Sequence, residues 1–271
     1  MNVFDYAYAL LSSKDIEGKL LSCEIVEDFS IGLHTSQITF KRPGRAANII
    51  FSEKQKKFPN IEKLKTDEGK AIALHFFANH ELLAIEMMAQ AILRFTQMSD
   101  KERQTILLTI SDEQKHFRIY CERLEELGFL FGDFPVNAFF WKQMDSIDSL
   151  DQFYAVVALT FEQANLDFAD YYYHLFLELG DDKTASVMKI VYDDEIKHVA
   201  RGRQYLQKKL KENTDLWDYY CDLLPYPITP SRAKGILFKE KGRLKAGLPE
   251  AYVDKLASYS NSFKVTQRKK W

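Results

Sequence analysis

Cysteine is scarce and odd in number: Cys23, Cys121 and Cys221 stand far apart across 271 residues. That excludes a disulfide framework and any thiolate zinc motif, and makes a reducing compartment, the cytoplasm, the expected setting. Charge of one sign is also missing. Thirty-seven Lys and Arg against 39 Asp and Glu leave a net −2, which gives no global case for nucleic-acid binding. No apolar run reaches the roughly 18 residues a membrane span needs. The first fifteen residues carry no basic leader, so no signal peptide is expected. Seven prolines and 11 glycines are few for this length, and they sit between long stretches of helical periodicity.

What is present is helix. Residues 3–22 read as one or two short helices that break near Ser12–Asp15, with Ser13 or Asp15 capping the second. Residues 23–67 are less periodic. There Ile38-Thr39-Phe40 suits an extended conformation, and Lys41-Arg42-Pro43-Gly44-Arg45 suits a turn. Four strong helical patterns come next, at about 68–95, 101–127, 149–179 and 182–211. Ser99-Asp100 caps the second, and Gly128 and Gly180 are left-handed stops after the second and third. A 20-residue loop, 128–147, fits a crossover better than a tight hairpin. The tail, 212–271, has Pro225, Pro227 and Pro230, a basic helical stretch, and a short helix near Pro249–Tyr259.

Two stretches carry the chemistry: Asp112-Glu113-Gln114-Lys115-His116 and Asp194-Glu195-Ile196-Lys197-His198. Glu and His three residues apart sit about 60° apart round a helix, so both face one object. A lone Glu precedes each pair on an earlier helix. Glu81 lies 32 residues before Glu113, and Glu162 lies 33 before Glu195. Glu113 to Glu195 and His116 to His198 are both 82 residues, the mark of a duplicated hairpin. Each Glu falls within an apolar stripe, where an unpaired carboxylate costs several kcal/mol even after relaxation. No Lys or Arg interrupts those stripes. Two divalent cations would cancel the four carboxylates, and two neutral imidazoles would complete the coordination. This donor set is that of dinuclear carboxylate bundles; oxygen ligands with one nitrogen per metal suit iron, manganese or a mixed pair.

Around that core the assignments differ in strength. Asp112 and Asp194 suit the task of accepting the free N–H of the His on the opposite helix, with a plain helix-surface charge as the bland alternative. Tyr120, Tyr172 and Tyr192 fall on the same stripes, to pack, to shape a pocket or to carry a radical. Glu86 lies about 140° round the helix from Glu81, so spacing favours Glu81. His75 and His80 lie off the central line, and His34 and His174 read as surface residues. The cluster Arg232, Lys234, Lys239, Lys241, Arg243 and Lys245 suits an anionic partner or, more simply, a solvated helix face.

These residues support a resemblance. Leu74-His75-Phe76-Phe77-Ala78-Asn79-His80-Glu81, Asp112–Phe117, Arg123–Gly128, Gly132-Asp133-Phe134-Pro135, Asp194–Val199 and Ala246-Gly247-Leu248 resemble the ferritin-like proteins grouped as domain-of-unknown-function family 455. The family pattern has His-x-Glu where this chain has Asn79-His80-Glu81, so its histidine is displaced by about 100° round the helix. The resemblance implies a ferritin-like bundle with a metal site, and fold analogy alone selects no reaction.

The expectation is therefore an all-α protein: a four-helix ferritin-like bundle at 68–211, an N-terminal extension over 1–67, and a C-terminal extension over 212–271. Two iron ions, or manganese, or a mixed pair would be held by Glu81, Glu113, His116, Glu162, Glu195 and His198. The expected activity is dioxygen-dependent oxidation of a small organic substrate. A ferroxidase or iron-handling role, and an interaction module merely braced by metal, are the alternatives. No nucleic-acid or membrane partner is expected, and a homodimer is compatible with the sequence.

Overall fold

The computed structural model describes residues 1–32, 36–53 and 57–261; His34 lies outside the described residues. Among these the chain is all-helical, with only two isolated bridges, Asn2 to Asp28 and Phe51 to Val136. It divides into two compact units, Met1–Asp145 and Ser146–Trp271.

The first unit is built on α3 (Asp67–Arg94) and α4 (Asp100–Glu126), which pack along one another. Thr66 caps α3 by accepting from Gly69 N. Ser99 and Glu102 form a reciprocal capping box on α4. Twenty of the 28 residues of α3 are buried, so this helix is covered on nearly all sides. The N-terminal segment supplies much of the cover. Helix α1 (Val3–Ser12) buries Val3, Phe4, Tyr6, Ala7, Leu10 and Leu11, and packs on α3. The short α2 (Ile16–Lys19) starts at Asp15, as the sequence suggests.

Polar side chains of α3 and α4 tie this cover down. Gln114 donates to Tyr6 Oη, Lys19 O and Leu21 O at 2.9–3.2 Å. Gln90 stands in for the edge of a sheet: its amide nitrogen donates to Ile38 O and its oxygen accepts from Phe40 N, both at 2.8 Å. Glu86, fully buried, meets Lys19 Nζ at 3.1 Å and Arg45 Nη2 at 2.6 Å. Burial lowers the Lys19 pKa, opposed by Glu86.

The second unit repeats the theme with one change. Where the periodicity predicts a single helix over 149–179, the structure has α5 (Leu150–Val156), a π-turn over Val157–Glu162, and α6 (Gln163–Glu178). Helix α7 (Asp182–Gln207), capped by Asp181, packs back on α6. The helix stops in the two units are alike. Gly128 and Gly180 both have positive φ, and in both the next residue's N–H reaches back five residues, Phe129 to Leu124 O and Asp181 to Phe176 O.

The C-terminal segment adds α8 (Leu216–Leu223), α9 (Glu240–Lys245) and α10 (Glu250–Ser258). Its anchor is Arg243, which sequence reading places in a solvated basic face. The guanidinium is instead fully buried and bidentate on Asp167 of α6, at 2.6 and 2.9 Å. Gly235 N and Lys239 N donate to the same carboxylate, and Arg243 also donates to Ala233 O and Lys239 O. Lys234, from the same cluster, caps the carbonyls of Ala257 and Tyr259. Helix α9 is too short to show one face by periodicity, which is why composition misleads here.

Removing one member of a buried pair leaves an uncompensated charge. Arg243→Met is therefore expected to lower the unfolding free energy by about 3–5 kcal/mol, read as a fall in the urea midpoint with an unchanged slope.

Candidate metal centre

Each unit brings a Glu–Glu–His triad together. In the first, Glu81 comes from the middle of α3, and Glu113 and His116 come from one face of α4. All three are buried, and one donor atom from each lies within 4.8 Å of the others. His116 Nδ1 is 3.4 Å from Glu113 Oε2.

In the second, Glu162 closes the π-turn, and Glu195 and His198 come from one face of α7. His198 Nδ1 is 3.3 Å from Glu195 Oε2 and 4.0 Å from Glu162 Oε1. All three are again buried. The same atoms, Nδ1 and Oε2, thus face each other at nearly the same distance in both hairpins.

Donors about 3 Å apart suit neighbouring positions on a cation with ligand distances of about 2 Å. Two carboxylates and an imidazole carry a charge of −2 when the imidazole is neutral, which one divalent cation cancels. The donor set of each triad therefore fits a divalent metal ion. It excludes the soft, all-thiolate class of site, because the three cysteines are elsewhere and free.

The second triad has a member that sequence reading did not single out. Asn165, three residues after Glu162, donates to Glu195 Oε1 at 2.7 Å. That bond fixes one carboxylate oxygen and leaves the other facing His198. The signal was available: an amide within an apolar stripe, on the face of Glu162. Its counterpart in α3 is Ala84, so the two triads are not identical in their supports.

The other candidates have varied surroundings. Asp194 is buried and accepts from Lys197 Nζ at 2.7 Å, and Asp112 is half-buried. Tyr120 is buried beside Phe77. Tyr172 is buried between Tyr171 and Phe176, and burial raises its pKa. Tyr192 is also buried, with its pKa raised by burial and then by Asp170, and Lys189 lies over its ring. Glu86 belongs to the Lys19–Arg45 cluster. His80 packs between Phe76 and Phe140. His75 stacks on Phe131, and its Nε2 accepts from Gly132 N at 3.0 Å. His174 is a surface residue beside Asp170.

Fold and site together define a class: a helical protein carrying two hairpins, each with a buried triad of two carboxylates and an imidazole competent to bind metal. The family rests on the sequence match. Residues 8–254 match DUF455, described as a protein of unknown function, and the chain belongs to that family. An uncharacterized protein of Haemophilus influenzae is 28% identical over 200 residues, covering 70% of this chain and 68% of that protein. No solved structure matches. Among the described residues no helix is long and apolar enough to cross a membrane.

His75 yields a pH prediction. Burial pushes its pKa down to about 4 from 6.5, with Asp133 opposing weakly. Between those values the unfolded chain binds the proton and the folded one does not. Stability is therefore expected to fall as pH drops from 6.5 towards 4, and His75→Gln should flatten that part of a urea-midpoint-against-pH profile.

Proposed function

We propose that the two hairpins complete a ferritin-like four-helix bundle and that their triads jointly hold a dinuclear iron, manganese or mixed centre. The observation that carries this reading is the recurrence. The same three residue types, in the same Asp-Glu-x-x-His frame and with the same atom pair at 3.3–3.4 Å, occur buried in both units. Surface acidic clusters arise easily; two buried copies on matching helix faces do not, given what desolvating carboxylates costs.

In this reading Glu81, Glu113 and His116 bind one side of the centre, and Glu162, Glu195 and His198 the other. Asn165 orients Glu195. Asp112 and Asp194 hold the imidazole N–H groups and so fix which ring nitrogen is available to metal. The burial of all six donors keeps bulk water from the centre. When bound, such a metal pair supplies electrons for the reduction of dioxygen, and with it the oxidising power to act on a small organic substrate. The terminal segments support an enzyme rather than an iron store. Each is fastened by its own buried ion pair, at Glu86 and at Asp167, as enclosing a reaction demands and loading bulk mineral does not.

Protein purified without chelators from iron-replete cells is expected to hold about two metal ions per chain. Glu113→Ala and Glu195→Ala should each lose metal and abolish dioxygen consumption by the ferrous protein. Many irons per chain in a large shell would support the iron-handling alternative. A metal-free wild type would contradict the reading.

A further inference from the structure

The turn that carries Glu162 sets the second triad apart from the first, and its role rests on the metal-binding reading above. Glu81 sits in an uninterrupted α-helix, whereas Glu162 closes a π-turn. A π-turn holds one extra residue, and relaxing it to α-helix would rotate the segment after it by about 100° relative to the segment before it. The wide form is held by its surroundings, and here they are specific.

Thr160, fully buried, lies with its hydroxyl 2.8 Å from Ala155 O and 2.8 Å from Tyr220 Oη. A hydroxyl has one proton, and a carbonyl only accepts. Thr160 therefore donates to Ala155 O, and Tyr220 donates to Thr160. Tyr220 is itself fully buried on α8. On the far side of Glu162 stands Gln163. Oriented to satisfy both ends, its amide nitrogen donates to Leu159 O and Tyr252 Oη, and its oxygen accepts from Arg243 Nε. Helix α7 meets the same turn at Gly202, where a Cβ would come within 2.3 Å of Ala158 Cβ. Gly202 is one turn beyond His198, so this close approach brings the imidazole level with Glu162.

We propose that Tyr220, acting through Thr160, is a positioning residue that keeps the π-turn open and so holds Glu162 against His198. The C-terminal segment is then part of the metal site's framework. Without the clamp the turn tightens and carries Glu162 away from the imidazole.

The test is cobalt(II) titration of the metal-free full chain, monitored by visible absorption and bound-metal analysis, on wild type, Tyr220→Phe, Thr160→Val, Thr160→Ser and Tyr219→Phe. Tyr219 is the control: it lies on the same helix and donates to Asp151 at 2.6 Å, away from the turn. Tyr220→Phe and Thr160→Val should each lose about tenfold or more in cobalt affinity and shift the absorption bands. Thr160→Ser, which keeps the hydroxyl, and Tyr219→Phe should behave as wild type. Unaltered binding and spectra in Tyr220→Phe and Thr160→Val would overturn the clamp alone, as would an equal loss in Tyr219→Phe. A wild type that binds no cobalt would overturn the metal reading and the clamp with it.

Discussion

A carboxylate withdrawn from water must be met by opposite charge or by hydrogen-bond donors, and the interior of this protein is arranged around that requirement. Without compensation the cost is several kcal/mol per ion, comparable to the whole stability of a domain. The chain answers in two ways. Glu86 and Asp167 are met by covalently attached cations, Lys19 with Arg45 and Arg243. Those pairs fasten the terminal segments to the long helices. At the triads each Glu faces a second carboxylate and an imidazole, an arrangement that leaves the counter-charge to be supplied from solution.

The two hairpins treat this requirement almost alike. Both have a polar N-cap on the second helix and a left-handed glycine stop, and both carry the Glu–His face within a long second helix. They part at the first carboxylate. One stands on regular helix; the other closes a π-turn wedged by Thr160, Gln163 and the glycine of the facing helix. Asn165 adds a bond to Glu195 that has no counterpart residue in the first hairpin, where Ala84 occupies the matching place. Such asymmetry gives two otherwise equal triads different rigidity, a condition for assigning them different tasks.

Much of this was legible in the sequence, for identifiable reasons. Helix ends could be read from Ser99, Gly128, Gly180 and Asp181, whose local chemistry is strong. Lone carboxylates in apolar stripes, repeated at an 82-residue interval, pointed to the triads because few other arrangements tolerate them. The π-turn left no such trace: Val156-Val157-Ala158-Leu159 is apolar throughout, so an extra residue disturbs no pattern. Arg243 was hidden among neighbouring cations on a six-residue helix, and its partner Asp167 lay beyond the stripe positions that identify core. Glu86 remained open until Lys19 and Arg45 were seen converging on it from a weakly periodic segment.

The central claim is that six donors from the two hairpins share one pair of metal ions. Anomalous diffraction across the iron and manganese edges, from crystals of never-chelated protein, tests it most directly. The account predicts two peaks about 4 Å apart, one against Glu81, Glu113 and His116 and the other against Glu162, Glu195 and His198. Triads without anomalous density in crystals of metal-replete protein, or two isolated peaks too far apart to share a ligand, would contradict it.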